Sequence, residues 1–349
     1  MDRRAFLRAP IVITKPRLMW RLASSYPRSL DTIYGAAEVL ADRVEALTEG
    51  QFQIRTFPAG ELVPGLEVLG AVQRGTVQMG HSASYYYIGQ SAALAFDTGV
   101  PFGLTARQQN AWLYHGGGLA LLREVFADFN VLNLPGGNTG AQMGGWFRRA
   151  VASQADLRGL TMRIPGLGGR VMERLGVTTQ TLAGPEIYPA LERGALDATE
   201  WAGPYDDEKL GFHKVAPYYY YPGWWEPGPA ITFYINRDAW ASLPSDYQNA
   251  LEAAAAEANV GMLARYDAQN PPALQRLLAE GIELRPFPDD VMQAARREAY
   301  ALMEEEAATD TTYHKVYNAF KQWRDNAYRW FGTAEQTYAA FAIRREIAD

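Results

Sequence analysis

Glu186-Ile-Tyr-Pro-Ala190-Leu-Glu-Arg193-Gly194 stands between two short runs of strand character, 178–182 and 196–200. It reads as a helix stopped by its glycine, in a strand–helix–strand unit that a parallel sheet requires. The same signature stands earlier, in Glu67-Val-Leu-Gly-Ala71-Val-Gln-Arg74-Gly75, with four of nine positions identical. Working outward from the later copy, 160–164 reads as a strand and 168–175 as a helix. Around the earlier copy, 17–24, 52–57 and 77–81 read as strands, and 31–49 and 66–74 as helices. One plan used twice predicts an α/β protein of two lobes, each a mixed sheet flanked by helices. Ligands of such sheets sit beyond the carboxyl ends of the strands, here in a cleft between the lobes.

Two clusters rich in Pro and Gly, 134–145 and 222–229, bracket the second unit and are read as the crossings between lobes. The last third reads as helices, at 238–261, 271–280 and 289–306. From Asp310 onward, Val316, Phe320, Trp323, Ala327 and Trp330 recur at spacings of four, three, four and three, a heptad-like seam. That seam fits either the chain's own core or a second subunit.

Composition removes several functions. Of 349 residues, 48% are apolar and 21% charged, an ordinary globular balance with room for a core. The net charge of −6 argues against nucleic acid as partner, since phosphate neutralisation needs a basic patch. Cysteine is absent, and the 4 histidines (His81, His115, His213, His314) share no metal-ligand spacing. Disulfides, thiolate zinc sites and cysteine nucleophiles are excluded. No phosphate loop, no Gly-x-Ser-x-Gly and no His-Glu-x-x-His occurs. Gly166-Leu-Gly168-Gly169-Arg-Val only half resembles a dinucleotide fingerprint, with Val171 where its last glycine would stand.

Four places can carry chemistry. Arg163 ends a strand whose alternate members are Leu160, Met162 and Ile164, so it faces the other side. Its fork suits a carboxylate at any pH, on a ligand or on a structural acid. Glu200, at the end of 196–200, can accept a cation or Arg163 itself, and Trp201 gives an apolar wall beside it. Gly136-Gly-Asn138-Thr-Gly-Ala-Gln142-Met-Gly-Gly-Trp146 offers free backbone and two amide oxygens, hard donors suited to sodium or calcium. Trp224-Trp225-Glu226 is costly on an open surface and should face a pocket or partner. Asn138, Tyr86, Trp146 and Trp225 are further candidates for pocket lining, as are parts of the tyrosine runs 85–87 and 218–221.

Asp156-Leu-Arg-Gly-Leu-Thr-Met-Arg163-Ile-Pro-Gly and Glu186-Ile-Tyr-Pro-Ala-Leu-Glu-Arg-Gly-Ala-Leu-Asp197-Ala-Thr-Glu-Trp201 resemble the solute receptors of tripartite ATP-independent periplasmic (TRAP) transporters. The resemblance covers about residues 17–349. The segments around Gln142, Glu200-Trp201 and Trp225-Glu226 look most like the branch that binds 2-oxo acids or lactate with a metal ion. The resemblance implies a type II periplasmic-binding-protein fold with a long C-terminal helical extension, and no enzyme activity. It implies that Arg163 clamps the substrate carboxylate, with Gln142, Trp201 and Glu226 in contact with the substrate. Glu200, the Trp201 carbonyl and Gln142 would hold Na+ or Ca2+ against a pyruvate-like 2-oxo monocarboxylate. It further implies a membrane permease as partner and a homodimer through the last helix.

The expected organisation is then a tail at 1–16, lobe I from 17 to 140, lobe II from 141 to 227, a return to lobe I over 228–300 and a dimerisation extension over 301–349. Arg3-Arg4-Ala5-Phe6-Leu7 resembles the start of a twin-arginine export signal and predicts a periplasmic protein, although the apolar run after it is short. Two alternatives stand beside this: a receptor for lactate or a sugar acid, and a glycosidase using Glu200 and Glu226 as paired carboxylates.

Overall fold

In this computed structural model, residues 18–346 are described, and the arginine-rich start of the chain lies outside them. The first unit runs β1 (Leu18–Ser24), α1 (Gly35–Leu47), β2 (Phe52–Phe57), α2 (Val68–Gln73) and β3 (Met79–Ser82). Helices α3 (Ala95–Thr98), α4 (Ala106–His115) and α5 (Gly118–Ala127) lead to β4 (Val131–Asn138). The second unit runs β5 (Trp146–Phe147), β6 (Thr161–Arg163), α6 (Gly166–Arg174), β7 (Thr178–Gln180), α7 (Gly184–Glu192), β8 (Ala198–Thr199), α8 (Pro204–Leu210) and β9 (Tyr218–Tyr221). The chain returns through β10 (Ala230–Asn236), α9 (Arg237–Ala241), α10 (Ser245–Ala279), β11 (Glu283–Pro286) and α11 (Asp289–Thr309), and ends in α12 (Thr311–Phe331) and α13 (Thr337–Glu346).

The strands make two sheets. One has the order β2-β1-β3-β10-β4, the other β11-β9-β5-β8-β6-β7. In the first, β1 is parallel to β2 and β3, and β10 runs antiparallel to β3 and β4. In the second, β6 is parallel to β7 and β8, and β5 runs antiparallel to β8 and β9. The cores β2-β1-β3 and β7-β6-β8 therefore share one plan. The repeated Glu…Ala…Arg-Gly signature marks their equivalent crossover helices, α2 and α7, with Ala71 and Ala190 both buried beneath them. The chain passes from the first sheet to the second between Asn138 and Trp146, and returns between Tyr221 and Ala230.

Amphipathic spacing explains the helices that cover the first sheet. Leu40 and Val44 of α1 are fully buried, each contributing roughly 1.5–3 kcal/mol. Leu47, on the same expected face, is exposed at the helix end. Helix α1 packs on β2 and on α10, which also touches β4 and α8. Of the helices expected at 238–261 and 271–280, residues 238–241 fall in the separate α9, and those from 245 to 279 join in the 35-residue α10, about 52 Å long at 1.5 Å per residue. Pro271 and Pro272 sit inside it on the exposed side. Burial of Ala273 and Leu277 on the opposite side carries the helix past them.

The C-terminal seam packs at home over most of its length. Phe320 lies 5.1 Å from Phe96 and 5.2 Å from Trp112, ring centre to ring centre. Val316 and Ala327 are buried and Trp323 is partly buried, all packed in the chain's own core. Trp330 alone of the five is exposed, at 63%. Among the described residues no helix is long and apolar enough to cross a membrane.

Candidate functional site

The carboxyl ends of the parallel strands of both sheets converge on one cavity. After β1 comes Tyr26. After β3 a short 3-10 turn, Ser84–Tyr87, brings Tyr85 and Tyr86. At the end of β6 stands Arg163, and directly after β8 come Glu200, Trp201 and Ala202. The first crossing adds Thr139 and Gln142, and β10 adds Ile231, next to a bulge in its pairing with β4. Nine of these residues, without Glu200, line an enclosed cavity of about 10 Å³ together with Ile33. That space holds about one water molecule.

Register places the charged pair. Arg163 lies opposite Thr199 across β6 and β8, so the following residue, Glu200, falls beside its side chain. The Glu200 amide donates to the Arg163 carbonyl at 3.2 Å. The two side chains are 1% and 0% exposed and form a direct ion pair. Arg163 Nε donates to the Leu182 carbonyl at 3.1 Å, and Nη1 donates both to the Glu200 carboxylate and, at 3.2 Å, to its carbonyl. Nη2 donates to the Tyr86 hydroxyl at 3.3 Å, across from the other sheet. Four of five guanidinium N–H groups are thus engaged, and the fifth is on Nη2. The guanidinium carbon sits 5.1 Å from the centre of the Trp201 ring. Both outcomes open for Arg163 occur together: it meets a carboxylate of the protein, and it keeps a donor at the cavity.

Burial and the neighbouring Glu200 charge push the Glu226 carboxyl well above its ordinary range, with Arg163 pulling the other way. Burial also raises Glu200, and Arg163 opposes it. Burial thus works against ionisation of both acids, and only Glu200 has the guanidinium directly against it. Glu226 is tied to the first crossing, since the Gln142 amide donates to its carbonyl at 3.2 Å. Gly223 sits so close to that crossing that a Cβ there would stand 2.7 Å from the Gln142 carbonyl oxygen. This backbone contact joins the two crossings beneath the site.

The donors present fit a hard cation. Glu200 Oε2, Gln142 Oε1 and Glu226 Oε2 are all buried and without a hydrogen-bond partner. Such oxygens cost roughly 1–3 kcal/mol each unless something meets them. Two carboxylates and an amide oxygen suit sodium or calcium. Among the described residues no cluster of three or more His, Asp or Glu forms an alternative cage.

Several expected liners stand elsewhere. Asn138 is a strap: its Nδ2 donates to the Gly228 carbonyl at 2.9 Å and its Oδ1 accepts from the Gly140 amide at 2.9 Å. Trp146 stacks on Tyr219 at 3.9 Å inside the six-stranded sheet and donates to Asp207. Trp225 is buried against Phe287 and beneath Gly168, whose Cβ would stand 2.7 Å from that of Trp225. The glycines at 166–169 thus serve close packing, not a dinucleotide. Tyr219 and Tyr220 belong to the core, and Asp197 caps the Thr161 amide at 2.9 Å. Gly137 in β4 makes room for Met262, whose Cε would be 2.2 Å from a Cβ, and not for a ligand. Tyr85 and Tyr86 both reach the site because their segment is a 3-10 turn, where the alternation of a strand does not apply. Tyr26, Ile33, Thr139, Ala202 and Ile231 were missed. Tyr26 was accessible to the rule that found Arg163, as it follows directly on a parallel strand.

A second, larger cavity of about 830 Å³ lies on the far side of the crossings, lined by Phe102, Trp224, Tyr300, Tyr328 and Phe331 among others. Gln142 lines both cavities, whereas Arg163 and Glu200 do not line this one.

Two α/β lobes with a buried arginine and unpartnered oxygens between them define a solute-binding receptor rather than an enzyme. The chain belongs to the bacterial extracellular solute-binding proteins, family 7, which it matches over residues 23–310. It is 55% identical over 327 residues to the monocarboxylate 2-oxoacid-binding periplasmic protein of Nostoc sp., covering 94% of this chain and 90% of that one. Its fold matches a TRAP transporter solute-binding protein of Bordetella bronchiseptica, described as a mixed-occupancy dimer with co-purified calcium and picolinate (TM-score 0.94, 48% identity, 96% of this chain and 99% of that one). It also matches a TRAP periplasmic solute-binding protein of Pseudoalteromonas atlantica with bound sodium and pyruvate (TM-score 0.90, 39% identity, 94% and 99%). The family is extracytoplasmic, and membership replaces the glycosidase alternative for Glu200 and Glu226.

Proposed function

We propose that the chain captures a small 2-oxo monocarboxylate such as pyruvate together with Na+ or Ca2+, and presents it to a TRAP permease in the membrane. The observation that carries this is the buried Arg163–Glu200 pair, with three buried oxygens without a hydrogen-bond partner, on Glu200, Gln142 and Glu226, and a small cavity that Arg163, Gln142 and Trp201 help to line. Arg163 supplies its remaining Nη2 donor to the substrate carboxylate, with Gln142, Trp201 and Glu226 also against the substrate. Glu200, Gln142 and the Trp201 carbonyl would hold the cation, which would offset the negative charge of the bound acid. Charge supports the set. Arg163 and Glu200 cancel, so a monoanionic substrate is balanced by calcium with Glu226 ionised, or by sodium with Glu226 protonated. Uncompensated buried charge is costly, which selects these two combinations.

The cavity is smaller than any 2-oxo acid, so the lobes part to admit the ligand and close on it. The expected lobe boundaries, 17–140 with 228–300 against 141–227, are part of this proposal, except that β11 pairs with β9 and so puts Glu283–Pro286 with the second sheet. So is a homodimer through the 301–349 extension, supported by exposed Trp330, Tyr338 and Ile343 and by the dimeric Bordetella relative. Export to the periplasm through the twin-arginine-like start belongs to it too.

Calorimetry with pyruvate tests the reading. Protein stripped by chelation and held in sodium-free buffer should bind about 10-fold or more weaker than protein given Na+ or Ca2+, the worth of roughly one charge-assisted contact. Equal affinity in both buffers overturns the bound cation, and no binding of any short 2-oxo or 2-hydroxy acid overturns the reading.

A further inference from the structure

Tyr26 enters the cavity from the lobe opposite Arg163, and three observations fix it there. Its backbone is pinned on both sides: the Tyr26 amide donates to Ser24 Oγ at 3.2 Å, and its carbonyl accepts from the Ala59 amide at 3.0 Å. Its ring is held edge-on between two others, 5.3 Å from His81 and 6.4 Å from Trp201. His81 is itself locked, by Ser24 Oγ at 3.1 Å and by stacking on Phe233 at 4.9 Å. The ring therefore has no freedom to carry its hydroxyl elsewhere. The residue is 1% exposed, it lines the cavity, and its hydroxyl has no hydrogen-bond partner.

A buried hydroxyl without a partner is a standing cost, and a pinned one is preorganised for whatever fills the space beside it. The other groups of the cavity are already divided. Arg163 and the unpartnered oxygens take the charged atoms, and Ile33, Ala202 and Ile231 are apolar. Burial keeps the phenol protonated, so it presents a donor.

We infer that Tyr26 is a ligand-contacting residue, its hydroxyl donating a hydrogen bond to an oxygen of the bound acid from the first lobe. The inference rests on the proposed 2-oxo acid function and deepens it. Its contact exists only when the lobes are closed, because Arg163 and Trp201 belong to the other sheet. Tyr26 is then one of the groups through which the ligand favours closure.

The test is Tyr26→Phe in the full chain, with pyruvate and saturating Ca2+. Losing a hydrogen bond to a charged ligand should weaken Kd about 10- to 100-fold. The ligand-free protein should keep its Tm or gain slightly, because an unpartnered hydroxyl has left the core. A merely structural tyrosine would show the reverse pattern, with Tm lowered and Kd unchanged. An unchanged Kd overturns the inference, and so does a Tm loss large enough to account for the weaker binding. Should the wild-type chain itself fail to bind any 2-oxo acid, the function is wrong, and that failure is read from the wild-type arm alone.

Discussion

Two pairs of buried acids lie close together in the chain and behave oppositely. Asp206 and Asp207, on α8, are fully enclosed like Glu200 and Glu226. Burial raises their pKa values to about 6 and about 7. Yet each is met by two neutral donors. Asp206 Oδ2 accepts from the Tyr266 hydroxyl at 2.7 Å and Trp201 Nε1 at 3.3 Å. Asp207 Oδ2 accepts from the Tyr219 hydroxyl at 2.6 Å and Trp146 Nε1 at 3.0 Å. Glu200 faces a guanidinium instead, while all four acids keep one buried oxygen without a hydrogen-bond partner. The aspartates tie α8 to α10 and to the second sheet. Burial and a raised pKa do not separate a ligand site from a structural one. What separates them is the partner: neutral donors meet the aspartates, whereas a guanidinium that also lines a cavity meets Glu200.

Removing Arg163 should give the largest effect. Arg163→Ala leaves Glu200 buried and unpaired, at a stability cost of roughly 3–5 kcal/mol. It should also weaken pyruvate binding by about 2–5 kcal/mol, beyond detection in ordinary calorimetry. Near-native affinity in that variant removes the clamp from the account.

Tyr266→Phe probes the other pair. It takes one donor from Asp206 and should cost about 1–3 kcal/mol in denaturant unfolding, with pyruvate affinity unchanged. A clear loss of affinity without loss of stability would show that the two pairs form one site.

Asp207→Asn is read as a pH slope and not as a single loss. In the folded protein Asp207 titrates near 7, against a usual 3.8, so between these values the native state holds more protons than the unfolded state. Stability from this group is complete below the unfolded value and falls as pH rises toward 7. The asparagine variant should therefore lose stability less steeply than wild type between about pH 4 and 7, the window those two values set. His81, lowered to about 3 by burial, acts with the opposite sign in both proteins and cancels in the difference. Parallel curves would mean that Asp207 is ionised in the fold.

The same contrast explains what could be read in advance. Arg163 and Glu200 were legible because each ends a strand of an α/β unit, and strand ends are where such sheets bind. Trp146 was not, because nothing in a glycine-rich loop tells which ring will stack on Tyr219, a partner 73 positions on. Asn138 carries the right amide oxygen for a cation but spends it on its own turn, a local bond invisible to composition. The break expected between 261 and 271 does not occur, and the aromatic seam of α12 by its pattern alone does not choose between core and partner. Both were judged from local pattern, and both were decided by what lay beneath: Leu277 in one case, Phe96 and Trp112 in the other.

The strand order carries a consequence for how the chain is made. Strand β10 lies between β3 and β4, yet it is synthesised only after five of the six strands of the second sheet. A nascent chain that has not reached Asn236 therefore leaves an open slot in the middle of its first sheet, with bare strand edges on both sides. Neither half is an autonomous folding unit, and truncations inside the second half should aggregate rather than yield a folded first half. The two sheets are interleaved along the chain as it is made.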